Sequence, residues 1–278
     1  MNNLNQIQNP YLPRIASIEK ITQETGDIKT FRLVFLEGDF HHLPGQFVEL
    51  SVFGRGEAPI SISSFIPGEN SLELSVKKMG KVTSYLHSMC EGDKVGLRGP
   101  YGNTFPVERI KGQNLLFIGG GIGLAPLRSL IHYSFLKRDD FGKISIIYGA
   151  RTPADLVFKE ELFNIWSNIK NTEVHITVDV ATNSWQGKVG VVPKILKELN
   201  PSPDNTVAFT CGPPIMIKYS LEALNDLNFP EEDTVTTLEM KMKCGIGKCG
   251  RCNIGNKYIC LDGPVFTLKE LKNLPKEY

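Results

Sequence analysis

The sequence predicts three units in chain order: a small β-barrel, an α/β domain with a parallel sheet, and a short cysteine-bearing loop. β-rich runs separated by turn formers fill the N-terminal part, whereas strand-like and helix-like segments alternate from Gln113 onward. Four of the six cysteines lie between Cys244 and Cys260. We place the three units at residues 10–110, 111–235 and 236–278.

The first unit shows the residue alternation of antiparallel strands. Phe31, Leu33 and Phe35 alternate with polar or smaller residues, so that one face of the strand is apolar. The other β-rich runs and one helix-like stretch are at 47–52, 60–64, 72–77 and 82–90. Short strands at this spacing, separated by Gly and Pro, are typical of a β-barrel.

The second unit alternates β-like and α-like segments. An apolar run at 115–118 precedes a glycine loop, and residues 124–136 then carry apolar side chains at helical spacing. Further strand-like runs lie at 144–148, 174–178 and 206–210, and helix-like segments at 156–166, 191–199 and 216–227. This alternation predicts a parallel sheet with right-handed crossovers.

The composition is that of an ordinary globular protein, with 41% apolar and 22% charged residues. A net charge of +1 with scattered Lys and Arg gives no reason to expect binding to nucleic acid. The first residues lack a basic start followed by an apolar stretch, and the most apolar region, 115–131, is interrupted by glycines and Pro126. We therefore expect a cytoplasmic protein without direct membrane insertion.

The C-terminal cysteines have the spacing of an iron–sulfur ligand set. Cys244, Cys249 and Cys252 form a C-x4-C-x2-C pattern, and Cys260 follows after seven further residues. The pattern is that of plant-type ferredoxins at its start, and it predicts a [2Fe–2S] cluster with these four cysteines as ligands. The alternative is a structural zinc site, but zinc sites usually pair their cysteines as C-x2-C. The asymmetric spacing favours the cluster.

Two motifs of the α/β unit predict a nucleotide site. A glycine loop lies between the first strand and a helix, where free N–H groups favour a pyrophosphate, although a tight turn without a ligand is the alternative. A Cys-Gly-Pro turn follows the fourth strand, at the sheet edge where such folds bind ligands. Arg151 follows the second strand and suits a 2′-phosphate, but a surface role is equally compatible. The predicted nucleotide-binding residues are Gly120, Gly121, Gly123, Arg151, Cys211, Gly212 and Pro213.

These motifs, the segment Gly-Glu-Ala-Pro-Ile-Ser-Ile-Ser at 56–63 and the cysteine region at 242–266 give the chain a resemblance to the ferredoxin–NADP reductase superfamily. The resemblance covers nearly the whole chain. Within the superfamily it is similar to members with a C-terminal [2Fe–2S] loop: the gamma subunit of cytosolic NiFe hydrogenases (sulfhydrogenases), the B-type subunit of anaerobic sulfite reductase, and the electron-transfer subunit of dihydroorotate dehydrogenase. It implies an FAD-binding barrel and NAD(P)H as the substrate.

The resemblance also implies the flavin contacts. Ala58 and Ile60 replace the Arg and Tyr of the usual motif, so the identity of the flavin, FAD or FMN, stays open. Ser61 is kept, and the resemblance implies that it lies near the flavin N5. Residues 80–84 match a phosphate-binding segment, with a turn and a helix cap as the alternative. The predicted flavin-binding residues are Pro59, Ile60, Ser61, Ser63, Gly80, Lys81, Val82, Thr83 and Ser84, and the predicted catalytic residues are Ser61 and Cys211.

A flavin exchanges electrons in pairs with a nicotinamide and singly with an iron–sulfur cluster, so the three sites form a relay. The sequence contains no motif for a terminal catalytic centre. We therefore expect an electron-transfer subunit of the hydrogenase gamma type, with iron–sulfur and catalytic subunits as partners. The alternatives are the type found in anaerobic sulfite reductase, a heterodisulfide-reductase-linked subunit, a free-standing NAD(P)H:ferredoxin reductase, and a zinc-stabilised regulatory module. NADH against NADPH stays open.

Overall fold

The computed structural model describes residues 9–182 and 184–275, and an antiparallel sheet forms its N-terminal part. The strands are β1 (Arg14–Gln23), β2 (Ile28–Phe35), β3 (Phe47–Val52), β4 (Gly56–Ser61), β5 (Ser71–Lys77) and β6 (Lys94–Tyr101). They are ordered β4-β3-β6-β1-β2-β5, and every neighbouring pair is antiparallel. The predicted antiparallel flavin-type domain is confirmed.

Strand β2 shows why this sheet encloses a core. Phe31, Leu33 and Phe35 are almost fully buried, whereas Arg32 and Val34 between them are only half-buried. This alternation follows the two-residue period of a strand, so the apolar face of β2 turns inward. A short helix, α1 (Lys81–Leu86), follows β5 and adds the buried side chain of Leu86 to the same core.

A parallel sheet follows the barrel in the chain. Its strands are β7 (Asn114–Gly120), β8 (Ile144–Ala150), β9 (Thr172–Val178), β10 (Lys188–Val189), β11 (Thr206–Cys211) and β12 (Thr234–Thr237), in the order β10-β9-β8-β7-β11-β12. The helices are α2 (Leu124–Leu136), α3 (Val192–Leu199) and α4 (Pro214–Asp226). The predicted parallel α/β domain is confirmed. None of the helices in the described parts of the chain combines the length and apolar character that crossing a bilayer requires.

The predicted helix over 156–166 is confirmed only for its later part. Helical residues run from 159 to 168 and include a π-helical segment at Glu161–Ile165 and a 3₁₀ turn at Trp166–Asn168. Further 3₁₀ turns lie at Pro153–Asp155 and Arg138–Asp140. Phe158 has a φ of 53°, a left-handed conformation that a right-handed helix excludes, so the helical residues begin only after it. Its N–H donates to the Glu24 carboxylate of the barrel at 2.8 Å, a contact between the two domains.

The cysteine-bearing region is made of short elements. They are β13 (Asn253–Ile254), β14 (Lys257–Tyr258), α5 (Ile259–Asp262), β15 (Val265–Thr267) and α6 (Leu268–Lys272). Strand β15 pairs antiparallel with β12 and becomes the seventh strand of the second sheet. One hydrophobic cluster contains Phe47 of β3 together with the buried residues Cys252, Ile259 and Phe266. The cysteine-bearing region therefore packs on the barrel. We retain the division at 110/111 and 235/236 as a proposal.

Arg128 of α2 joins the two domains. Its guanidinium donates to the Ser63 carbonyl at 2.9 Å and to Glu73 of β5 at 2.6 Å, both in the barrel. On the nucleotide side it forms a bidentate pair with Glu161 at 2.6 and 2.7 Å. His132 also contacts Glu161, at 3.1 Å. Arg128 is only 7% exposed, so its charge depends on these partners.

We expect Arg128→Met to lower the free energy of unfolding by about 2–4 kcal/mol, because it removes the buried guanidinium that pairs with the partly buried carboxylates of Glu73 and Glu161. Chemical denaturation at neutral pH measures this change. Lys111→Met is the matched control, since it breaks an exposed Lys111–Glu108 pair and should cost under about 1 kcal/mol. Equal effects of the two substitutions would contradict a structural role for Arg128.

A pH series adds an independent check. Burial raises the pKa of Glu161, but hydrogen bonds from His132 and Arg128 outweigh this and lower the pKa from 4.5 to about 2. A depressed folded-state pKa contributes stability above the unfolded-state value, and this contribution disappears as the pH falls from 4.5 to 2. We therefore expect the stability difference between wild type and Glu161→Gln to shrink over this interval. A difference independent of pH would contradict the ion network.

Candidate functional site

The glycine loop lies at the mouth of a large cleft. Strand β7 ends at Gly120, a 3₁₀ turn covers Gly121–Gly123, and α2 begins at Leu124. Gly120 and Gly121 line a cavity of about 1390 Å³, and Gly121 has a φ of 54°. The cavity also takes in Thr25 and Lys77 of the barrel side, so its walls come from both domains.

The structure brings the two predicted nucleotide motifs into contact. Strands β7 and β11 pair with Gly119 opposite Cys211. A Cβ atom on Gly123 would lie 2.5 Å from the Gly212 backbone and 2.6 Å from the Cys211 carbonyl carbon. A side chain at position 123 would therefore push the glycine loop away from the Cys-Gly-Pro turn. Pro213 lines the same cavity as Gly120.

Cys211 is a buried, neutral thiol. Its sulfur accepts a hydrogen bond from the Thr237 hydroxyl at 2.9 Å. Burial raises the pKa of Cys211 to about 12, so the thiol stays protonated at neutral pH and is not a nucleophile. The side chain can shape the pocket but does not supply a thiolate. Its predicted catalytic role stays a prediction, and the sequence did not indicate Thr237 as its partner.

Two charged residues meet at the far end of the cavity. Arg151 follows β8 and Asp179 follows β9, and both line the cavity. The Asp179 N–H donates to the Ala150 carbonyl at 3.0 Å, which holds the two chain segments side by side. Burial raises the pKa of Asp179, and Arg151 opposes that shift. The sequence analysis identified Arg151 after the second strand, but it did not identify Asp179, which follows the third strand.

The predicted flavin segment lies on β4 and just after it. Pro59, Ile60 and Ser61 are half-buried, and the Ser61 hydroxyl has no hydrogen-bond partner among residues 9–182 and 184–275. Ser63 differs, because its hydroxyl is fully buried and bonds to the Glu73 carbonyl and the Ser75 hydroxyl, both at 3.0 Å. The Ser63 side chain therefore stabilises the barrel itself. The flavin roles of all four residues stay predictions.

The second predicted flavin segment is the start of α1. Gly80 is the N-cap residue, and the Thr83 hydroxyl accepts hydrogen bonds from the N–H groups of Met79 and Gly80, both at 3.0 Å. Thr83 thus caps the start of the helix from the third helical position, the half of a capping box that a glycine N-cap allows. Lys81 is exposed, and Val82 and Ser84 are half-buried. The capping alternative is observed, and phosphate binding by 80–84 stays a prediction.

The four C-terminal cysteines converge in two pairs. The sulfurs of Cys252 and Cys260 are 3.4 Å apart, and the Cys249 side chain hydrogen-bonds to Cys244. Backbone N–H groups also point at sulfur: Ile246 donates to Cys244 at 3.4 Å and Gly247 donates to Cys260 at 3.1 Å. Gly245, Gly247 and Gly250 have φ near 70°, the conformation that lets the loop turn its N–H groups inward.

The thiols of the two pairs differ in acidity. Burial raises the pKa of Cys244, but backbone N–H donors including those of Ile246 and Cys249 outweigh it and lower the pKa to about 7. Burial and the neighbouring Cys252 raise the pKa of Cys260 to about 12. Four thiols this close need a cation to ionise together, because thiolates repel one another.

This donor set fits a binuclear cluster. A [2Fe–2S] cluster takes four thiolates, two on each iron, and gains from N–H donors aimed at sulfur. Two cysteine pairs with inward N–H groups match that requirement.

The barrel holds both ends of the cysteine loop. Arg98 of β6 donates to the Cys244 carbonyl at 3.0 Å and forms a bidentate pair with Glu57 of β4 at 2.9 and 2.7 Å. At the other end, the Asn103 amide nitrogen donates to the Asp262 and Val265 carbonyls at 2.9 and 2.7 Å. Neither Arg98 nor Asn103 was identified from the sequence, because nothing near them in the chain indicates contact with a segment about 150 residues away.

Two further barrel side chains face the loop. A Cβ atom on Gly245 would lie 2.8 Å from the Tyr101 ring and 3.2 Å from Glu49. Tyr101 therefore packs on the cysteine loop and donates its hydroxyl proton to the Pro10 carbonyl at 3.2 Å. Glu49 is 1% exposed, its Oε1 has no partner among the described residues, and burial raises its pKa to about 7.

Comparisons with known proteins find matches to three successive parts of the chain. Family models match residues 14–105 (oxidoreductase FAD-binding domain), 117–222 (oxidoreductase NAD-binding domain) and 239–272 (iron–sulfur cluster binding domain of dihydroorotate dehydrogenase B). Sulfhydrogenase 1 subunit gamma of Pyrococcus furiosus is 41% identical, over 96% of this chain and 94% of that protein. The probable electron-transfer subunit of dihydroorotate dehydrogenase B from Methanocaldococcus jannaschii is 35% identical, over 94% and 91%. The chain belongs to this family of electron-transfer subunits.

Solved structures support the same fold. An NADH-dependent reduced ferredoxin–NADP oxidoreductase aligns with a TM-score of 0.75 and 25% identity, over 97% of this chain and 91% of that chain. The cytochrome b5 reductase domain of Ulva prolifera nitrate reductase aligns with a TM-score of 0.68 and 21% identity, over 82% and 98%, and shows the fold alone. The chain is thus an oxidoreductase with FAD-, NAD- and iron–sulfur-binding domains.

We expect Cys252→Ser and Cys260→Ser to abolish the cluster while the flavin is retained, because these sulfurs form one buried pair and the predicted flavin-binding residues lie on other elements, β4 and α1. Iron, acid-labile sulfide and flavin per chain, measured after anaerobic purification, check this. Cys90→Ser is the control, since Cys90 is exposed and lies before β6. One zinc per chain without sulfide in the wild type would contradict the assignment.

Proposed function

We propose that this protein is the NAD(P)H-linked diaphorase subunit of a larger cytoplasmic redox complex of the hydrogenase gamma type. The observation that carries the proposal is the attachment of the cysteine loop to the barrel through Arg98 and Asn103. Because the loop is fixed to the flavin-binding domain, the three predicted sites occur on one continuous scaffold. A cytoplasmic location suits free cysteines that serve as metal ligands rather than disulfides.

When bound, the flavin supplies two-electron exchange with a nicotinamide and one-electron exchange with the cluster. The protein would position the bound flavin and nucleotide and exclude water from the site. Gly121, where an added Cβ would meet nothing within 4 Å, would leave room for a pyrophosphate at the start of α2. Arg151 and Asp179, which line the same cavity, would contact the adenosine end of the nucleotide. Neutral Cys211 lies behind the cavity lining, close to Pro213 in the chain, and adds no charge there.

The names of the relatives support a partner on another chain. Two Pyrococcus furiosus sulfhydrogenase gamma subunits are 41% and 37% identical to this chain, and several relatives are named electron-transfer subunits. We infer that electrons leave through the cluster to iron–sulfur and catalytic subunits. A subunit for dihydroorotate dehydrogenase B is the second candidate, because its family model matches the cysteine region. A free-standing reductase and the sulfite reductase and heterodisulfide reductase types remain alternatives.

An anaerobic titration tests the proposal. NADH and NADPH are added in turn to the purified protein while flavin absorption and the electron paramagnetic resonance of the cluster are recorded. We expect one of the nucleotides to reduce the flavin and then the cluster, without an added partner. A protein that binds neither flavin nor iron, or a cluster that neither nucleotide can reduce, would contradict the function. Purification of the native complex then identifies the partner.

We expect Arg151→Ala to raise KM for NADPH by about tenfold or more with little change in kcat, because it removes a charge-assisted contact to a 2′-phosphate far from the reacting atoms. KM for NADH should stay within about twofold. Asp179→Asn is the complementary variant and should lower KM for NADPH, since it removes a negative charge beside that site. Steady-state kinetics with both nucleotides measure this, and equal changes for both would refute the assignment.

A further inference from the structure

The cysteine loop has a local excess of positive charge. Five Lys or Arg and no Asp or Glu lie between Glu239 and Asp262, in a chain whose net charge is +1. One of the five, Lys257, pairs with Asp262 at 3.1 Å. The other four are exposed, and none forms an ion pair with a carboxylate within 9–182 and 184–275: Lys241, Lys243, Lys248 and Arg251. Their charge is therefore directed to solvent.

The same loop exposes one edge of the cysteine set. Cys252 and Cys260 are buried, whereas Cys249 is exposed. A Cβ atom on the neighbouring Gly250 would meet nothing within 4 Å. The cysteine site is thus open to another molecule on the side of Cys249. Two of the exposed cations, Lys248 and Arg251, lie close to Cys249 in the chain.

Apolar side chains lie among these cations. Tyr11, Leu12 and Leu261 are 53%, 72% and 55% exposed. The Lys248 ammonium lies 5.7 Å from the centre of the Tyr11 ring, and the Leu261 side chain lies against Gly247. The chain before Tyr11 is fixed, because Arg98 and Tyr101 both bond to the Pro10 carbonyl. Exposed apolar residues beside charged ones are the composition of a protein–protein interface.

We propose that this surface, formed by Tyr11, Leu12, Lys243, Lys248, Cys249, Arg251 and Leu261, docks a redox protein whose exposed centre is surrounded by Asp and Glu. The proposal rests on the proposed function, because it takes the cysteine loop as the exit for electrons. Opposite charges steer two proteins together and orient them before apolar contacts form. An acidic rim on the partner would thereby bring its redox centre to the Cys249 edge.

Binding of an acidic plant-type [2Fe–2S] ferredoxin to the cluster-loaded protein tests the surface, with calorimetry at low and high salt and no nucleotide present. The test variant is Lys243→Glu, Lys248→Glu and Arg251→Glu combined. The matched control is Lys20→Glu, Lys137→Glu and Lys170→Glu, three exposed lysines elsewhere with the same change in net charge. We expect wild-type binding to weaken with salt, and the test variant to bind about tenfold or more weakly, with the control near wild type.

Equal weakening in the test and control variants, or binding independent of salt, would overturn the proposal. Binding to phosphatidylserine vesicles with no binding to ferredoxin would also overturn it, in favour of a membrane surface. Iron content and visible absorption establish that each variant is loaded, and the neutral variant Lys243→Gln, Lys248→Gln and Arg251→Gln should show a smaller loss in the same direction. Because this assay needs no nucleotide, it tests binding at the docking surface even if the titration with NAD(P)H fails.

Discussion

The attachment of the cysteine loop to strand β6 is the constraint on which the rest of this structure depends. The loop has few apolar residues, and its buried ones share a core with Phe47 of the barrel. Hydrogen bonds from Arg98 at one end and Asn103 at the other fix where it lies. Since Arg98 also binds Glu57 on the predicted flavin strand β4, one side chain connects two predicted cofactor sites. The flavin domain therefore fixes the position of the cysteine loop, together with the pairing of β15 on β12 of the second sheet.

A second buried arginine fixes the nucleotide domain to the same barrel. Arg128 lies in α2, the helix that begins at the glycine loop, and it reaches Ser63 and Glu73 on the barrel side. The cleft takes its lining from both domains. A nucleotide held there would keep a set orientation to the barrel, because α2, whose start is the predicted phosphate site, is itself held in place. Both arginines use bidentate pairing, which fixes direction as well as distance.

The sequence was sufficient to predict the fold because the signals are local. Alternating residues in β2, the strand–glycine–helix order after Gln113 and the cysteine spacing each depend on residues close together in the chain. The contacts of Arg98, Asn103, Arg128 and Asp179 could not be predicted, because each partner lies far away in sequence and any surface arginine or asparagine looks the same. The predicted helix at 156–166 begins later than expected for a related reason: its apolar spacing is helical, but Phe158 is left-handed and bonds to Glu24 of the barrel, far away in sequence.

The measurement that tests this account most directly is anaerobic stopped-flow reduction of the holoprotein, with the wild type, Arg98→Lys and Arg98→Met compared. Flavin bleaching and cluster bleaching are followed separately after mixing with the preferred nucleotide. We predict that Arg98→Met slows cluster reduction much more than flavin reduction, with Arg98→Lys in between, because the loop loses its bond at the Cys244 carbonyl whereas β4 loses the Glu57 pair but stays paired along β3. Cluster reduction at the wild-type rate in a fully loaded Arg98→Met protein would contradict the account.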